Sequence, residues 1–143
     1  MKIVINDTYG GFRLSPLAIK EYLKLKRKEA YFYDAQFQNR EVIYTKTDNF
    51  TGKEIFLTCF TKDFGSRFKD KDRTENDYKI YCFDEKDINR TDEDLIKIIE
   101  QLKEKANTIC SKLKIVEIPD DVDWEIEDYD GAEWISEKHR TWG

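Results

Sequence analysis

The chain opens on an uninterrupted apolar run, Ile3-Val4-Ile5, between Lys2 and Asn6. A continuous β-branched run of this kind predicts a strand covered on both faces, here over residues 2–6. Ser15-Pro16 then has the residue types of a helix start, a side-chain oxygen that can accept from a free N–H and a ring that presets φ. Ala18, Ile19, Tyr22, Leu23 and Leu25 recur on one face of the helix that follows. Lys20, Lys24, Lys26, Arg27 and Lys28 take the solvent face and gather in the last turns, where cations meet the negative end of the helix dipole. That role accounts for the basic cluster better than a nucleic-acid patch does.

From 31 to 83 the pattern becomes aromatic and β-branched, predicting strands over 41–45, 54–60 and 79–83. Turn residues at 48–52 make the first two a hairpin. The polar stretch 62–77, with Gly65, Arg67, Lys69, Lys71 and Arg73, is long for a connection inside one domain and reads as a mobile or functional loop. Phe64 and Phe68 among these cations suit either stacking on a base or the tip of a solvated hairpin.

Thr91-Asp92-Glu93-Asp94 opens the longest helix with a capping-box-like pattern, and Leu95, Ile98, Ile99, Leu102, Ala106, Ile109 and Leu113 give it an apolar face. A strand over 114–118 is stopped by Pro119. Trp124 and Ile126 alternate with Glu125 and Glu127, the period of a half-buried strand. Gly131 breaks that strand, and 132–139 is expected to form a short last helix that buries Trp134 and Ile135. The expected architecture is a single α+β domain over 1–143 with a mixed β-sheet, two main helices and a short C-terminal helix.

Composition bounds the function. A chain of 143 residues can bury a core without metal or disulfides. Its 38% charged content and mean hydropathy of -0.78 would signal disorder, were the aromatic fraction not 14% and the apolar residues not periodic. A net charge of -5 argues against a main affinity for phosphate backbones, so no direct DNA binding is expected. Cys59, Cys82 and Cys110 lie far apart among apolar neighbours and are expected to be buried thiols of a reducing compartment. The apolar start is too short for a signal peptide, and no run approaches the roughly 20 residues that cross a bilayer. A cytoplasmic protein with no membrane partner is expected.

Candidate chemistry centres on Tyr9-Gly10-Gly11-Phe12-Arg13, between the first strand and the first helix. Adjacent glycines permit positive φ and close approach to the main chain, and a helix N-terminus behind them offers free N–H groups, so a small anion has a place to sit. An ordinary tight turn explains the same residues. The final residues set Trp134, His139, Arg140 and Trp142 among charges, which suggests docking on the domain, on a second subunit or on a ligand with a ring. A ligand site assembled from Tyr9, Gly10, Gly11, Phe12, Arg13, Arg90, His139 and Arg140 would combine main-chain donors, ring stacking and cations. With His139 as the only histidine and no paired cysteines, neither a metal nor a cofactor is expected. Asp120, Asp121, Asp123, Glu125, Glu127, Asp128 and Asp130 read first as a solvated strand face.

The opening Lys2-Ile3-Val4-Ile5-Asn6 with Tyr9-Gly10-Gly11-Phe12, and the close Lys114-Ile115-Val116-Glu117-Ile118-Pro119-Asp120-Asp121-Val122 with Glu137-Lys138-His139-Arg140-Thr141-Trp142, resemble small uncharacterised proteins of phage and prophage genomes. The resemblance implies a phage-encoded accessory protein in the host cytoplasm and carries no known active site. By analogy with small phage proteins that lack enzyme motifs, it implies antagonism of a host antiviral defence. Three readings follow. A non-catalytic binder sequesters a nucleotide-like signal; an inhibitor binds a host defence protein directly, its acidic segment 117–130 mimicking nucleic acid; or a hydrolase acts on a nucleotide through paired acids. A homo-oligomer is compatible with each.

Overall fold

The computed structural model describes residues 1–48 and 57–138. Its elements run β1 (Lys2–Asn6), α1 (Pro16–Leu25), β2 (Tyr31–Gln38), β3 (Glu41–Lys46), β4 (Leu57–Phe60) and β5 (Arg67–Lys69). They continue as α2 (Glu75–Tyr81), β6 (Cys82–Phe83), α3 (Glu93–Leu102), β7 (Leu113–Glu117), β8 (Trp124–Tyr129) and β9 (Ala132–Glu137), with short 3-10 turns between some of them. The class is α+β. The sheet is not mixed, however: β1-β7, β5-β3-β2-β4-β6 and β8-β9 form three sheets, and every pairing among the described residues is antiparallel.

Two apolar clusters divide the molecule. The first is largely aliphatic: α1 and α3 lay Ala18, Ile19, Leu23, Leu95, Ile98 and Ile99 against Val4 and its surroundings. Ser15 caps α1 by accepting from the Ala18 N–H at 3.1 Å, and Pro16 follows at the first helical position, as the sequence predicts. The helix closes with Arg27 in the left-handed region, its N–H bonded to Lys24 O and the Lys28 N–H to Leu23 O, the paired bonds of a Schellman end with arginine where glycine is usual. The second cluster is aromatic. Tyr33, Phe60 and Phe68 are buried with Tyr44, Phe64 and Tyr78 around them, and Tyr44 stacks on Phe68 with centroids 4.9 Å apart.

That second cluster corrects the reading of 62–77. Instead of a solvated loop the stretch supplies β5 and the start of α2, where Thr74 and Asp77 complete a capping box. Phe68 packs inside, and Arg73 lies over the Phe64 ring at 4.9 Å, so these rings and that cation pack on one another. Residues 79–81 belong to α2 and only Cys82–Phe83 extends as a strand, where the 79–83 strand was expected. Of the expected strand 54–60, residues 54–56 lie outside the described residues, and the remainder, β4, does not pair with β3 as expected, because the two lie on opposite sides of β2. The hairpin is β2-β3, turned by Asn39 and Arg40 at φ 51 and 64; most of the expected turn at 48–52 lies outside the described residues.

The apolar stripe from Leu95 ends early. Lys103 takes φ 52, a single 3-10 turn follows, and Ile109 is left 61% exposed. Beyond that break the start of α1 holds the chain: the Ser15 hydroxyl donates to Lys105 O at 2.7 Å and the Ser15 N–H to Ala106 O at 2.9 Å, so these carbonyls serve α1 and not a continued helix. The last expected helix is a strand. Asp130 and Gly131 adopt φ 53 and 91, the two left-handed positions of a two-residue hairpin turn, and β9 returns along β8 with Trp134 45% exposed rather than buried. All three cysteines are free thiols; Cys59 is buried as expected, whereas Cys82 and Cys110 are half-buried.

Candidate functional site

Gly10 and Gly11 do adopt positive φ, 118 and 103. What faces Gly10 is other backbone, whereas a Cβ on Gly11 would meet nothing within 4 Å. A Cβ on Gly10 would stand 2.5 Å from Cys110 O, and one on Gly131 would strike the Gly11 amide and stand 2.7 Å from the Gly10 nitrogen. The Gly10 N–H donates to Asp130 O at 3.0 Å. Two glycine turns are thus stacked main chain on main chain. The space and the donor that an anion needs at Gly10 are already occupied, and the helix behind begins with a proline, which has no N–H, and a side-chain cap.

Beneath the stacked turns lies a polar hub. Arg90 grips Glu133 with two bonds, 2.7 and 2.9 Å, donates to Val4 O at 3.2 Å, and lays its guanidinium 3.6 Å from the centroid of the Phe12 ring. Glu133 also accepts from the Asn6 N–H at 2.8 Å. The Asn6 side chain is fully buried; its amide donates to Thr8 O and Gly131 O, both at 2.7 Å, and its carbonyl accepts from the Lys112 N–H at 2.9 Å. With these bonds made, the hub joins the β8-β9 hairpin to the body of the protein. Sequence reasoning missed Asn6 and Glu133. The one local signal was Asp130-Gly131, a two-residue hairpin dipeptide that would have placed Glu133 on a strand rather than a helix.

The expected ligand residues therefore separate. Phe12 and Arg90 meet, but inside the protein and on each other, with Phe12 3% exposed. Tyr9 is 64% exposed and stands edge-on to Tyr129, centroids 6.5 Å apart. Arg13 lines a different cleft. His139 and Arg140 lie outside the described residues.

Arg13, Phe32, Cys59, Phe83 and Glu85 are among the side chains around a cleft of about 180 Å³. Burial holds the Glu85 carboxyl above the usual carboxylate range, opposed by its own N–H and the nearby Arg13 charge. Burial also pushes the Cys59 thiol up to about 12, which leaves it inert as a nucleophile. A larger cleft of about 420 Å³ runs between the end of α1 and β6 and is lined by Tyr22, Lys28, Tyr81 and Asp87. Its Lys26 is held by Asp92 at 3.2 Å and Asp94 at 2.8 Å, contacts that raise its pKa, while burial and the bond to Asp92 push Tyr22 up to about 12. Among the described residues no three His, Cys, Asp or Glu side chains converge as a metal site would require.

The outer face of the hairpin is the opposite of the hub. Glu127 and Trp134 stand directly across from each other, and the indole Nε1 donates to Glu127 Oε2 at 3.0 Å. Glu125 and Tyr129 point to the same side, Tyr129 is 70% exposed, and Tyr9 leans on it. Three aromatic rings and two carboxylates thus share a solvent-facing surface on a hairpin fixed from behind by Glu133. Asp120 is the exception in the acidic segment, since it accepts from the Met1 ammonium at 2.6 Å, an ion pair that lowers its pKa. No helix among the described residues is long and apolar enough to cross a membrane. Compared with protein-family models, curated proteins and solved structures, the chain matches none.

Proposed function

We propose that the protein is a non-catalytic binding protein that docks through the outer face of β8-β9 onto a basic surface of another protein. The observation that carries this reading is the exposed Glu127–Trp134 pair with Glu125, Tyr129 and Tyr9 around it. An arginine can lay its guanidinium on the indole or a phenol ring while it bonds a neighbouring carboxylate. A net charge of -5 steers such a partner in from a distance. The nucleotide-sequestering reading has less behind it, because the Gly10 donor and the Arg90 cation both have internal partners. The hydrolase reading has less again, since the described acids of 117–130 lie along a strand and its turns and line neither of the two clefts above. On the resemblance to phage proteins, the partner is a host defence protein whose basic surface otherwise meets nucleic acid, and the outcome is inhibition.

The test is phage plating on cells that carry a defence system and express this chain. Wild type restores plating, whereas a Trp134→Ala, Glu127→Gln variant that circular dichroism shows to be folded does not. Equal restoration by both would remove the hairpin face from the function. Heat release of a nucleotide from the purified protein would return the sequestering reading to the front.

A further inference from the structure

We infer that the free edge of β8 receives an extended basic segment of the partner as an added antiparallel strand, an inference that rests on the docking face just described and specifies how it is used. The register of the hairpin decides which backbone groups are free. Tyr129 and Ala132 close a two-residue turn, and Lys138 N–H donates to Asp123 O at 2.9 Å at the other end, so 125, 127 and 129 exchange bonds with β9. Trp124, Ile126 and Asp128 therefore point their N–H and C=O groups away from β9. Among the described residues no strand lies on that side.

Edges of this length are ordinarily blunted by proline, lysine, a bulge or a covering element. β8 has six residues, none of them Pro or Lys, and pairs with β9 without a bulge. What it carries is acid: Glu125, Glu127 and Asp128. A second copy added antiparallel on this edge would set carboxylates against carboxylates, which is unfavourable across strands. A basic strand meets the opposite condition. On the outer side its residues would lie beside Glu125 and Glu127, and on the inner side beside Trp124 and Ile126, which are half-buried. The complementary sequence is one with lysine or arginine at every second position and β-branched residues between. Main-chain bonds supply affinity in such complexes and the alternating side chains supply specificity.

The experiment uses the whole protein and a short synthetic peptide of alternating lysine and threonine, with a second peptide of the same sequence methylated on alternate backbone nitrogens. The methylated peptide keeps the charge and loses the donors of one edge. We expect the parent peptide to slow amide exchange at Ile126 and Asp128 and to bind roughly tenfold more tightly than the methylated one, a difference of about 1.4 kcal/mol. Equal binding of the two peptides without protection of these amides would overturn strand addition and leave docking on the outer face standing. Absence of binding by either peptide would overturn strand addition as well, while the Trp134→Ala, Glu127→Gln plating test decides the docking face by itself. Protection of Ile126 in a dimer formed without peptide would hand the edge to a second copy.

Discussion

The Gly10-Gly11 turn and the outer face of β8-β9 lie on neighbouring parts of the molecule and exchange the roles their sequences suggest. The turn has the letters of a binding loop, yet its Gly10 donor, its cover and the cation behind it are all engaged within the chain. The hairpin has the letters of a solvated strand, yet it presents rings and carboxylates on a fixed frame. Positive φ shows only that the backbone bends, and whether a donor is available depends on what the fold lays over the bend. Exposure of several aromatic rings on one face is informative for the converse reason, because among the described residues they touch one another and a carboxylate but are not covered.

The comparison breaks first at the hub. Arg90→Ala leaves Glu133 buried without its cation and should destabilise the protein by about 3 to 5 kcal/mol in chemical denaturation. A cost under 1 kcal/mol would mean that the hairpin is not held by this pair, and its outer face would lose its rigid backing. Gly131→Ala comes next: the methyl group has main chain in its way and φ is 91, so at least about 2 kcal/mol should be lost. Full stability of that variant would reopen the space over Gly10 and with it the anion site.

A smaller effect depends on pH. The carboxyl of Glu85 is held up by burial, so ionisation opposes folding; its share of stability is whole below the unfolded pKa near 4.5 and is lost as pH rises through the folded one. Glu85→Gln should then raise the melting temperature at pH 7 and leave it unchanged at pH 4. A gain that persists in acid would point to repacking of the cleft instead. Glu125→Gln with Glu127→Gln, at the outer face, should shift stability by less than about 1 kcal/mol while weakening binding to the basic peptide. Arg27→Gly is the mildest change, an expected gain of about 0.5 kcal/mol, because the left-handed end of α1 favours glycine without requiring it. A loss there would mean that the arginine side chain has a role of its own.

Local chemistry made part of this legible. β1, the Ser15-Pro16 start of α1, β3, β7 and the alternation of β8 were readable because cap, period and breaker agree within a few residues. β9 was lost because Gly131 was read as an end rather than as half of a hairpin turn, and the burial of Trp134 was lost with it. The exposure of Ile109 could not be read from its own neighbourhood, since the carbonyl of Lys105, just past the helix end, is bonded by Ser15, some 90 residues away. In the site, φ at Gly10 and Gly11 was legible, but their partners at Cys110, Asp130 and Gly131 are far along the chain.

That distance has a consequence for how the protein comes into being. Asn6 bonds to Lys112 and Gly131 across separations of 106 and 125 residues, and Arg90 reaches Val4 across 86. During synthesis Ile3-Val4-Ile5 leaves the ribosome long before any of these partners exists, so α1 can cover Val4 early while the edge of this short β-branched stretch still lacks its pairing strand. The strand β1 is thus among the last to be completed, since β7 and the β8-β9 hairpin must emerge before its bonds can all form.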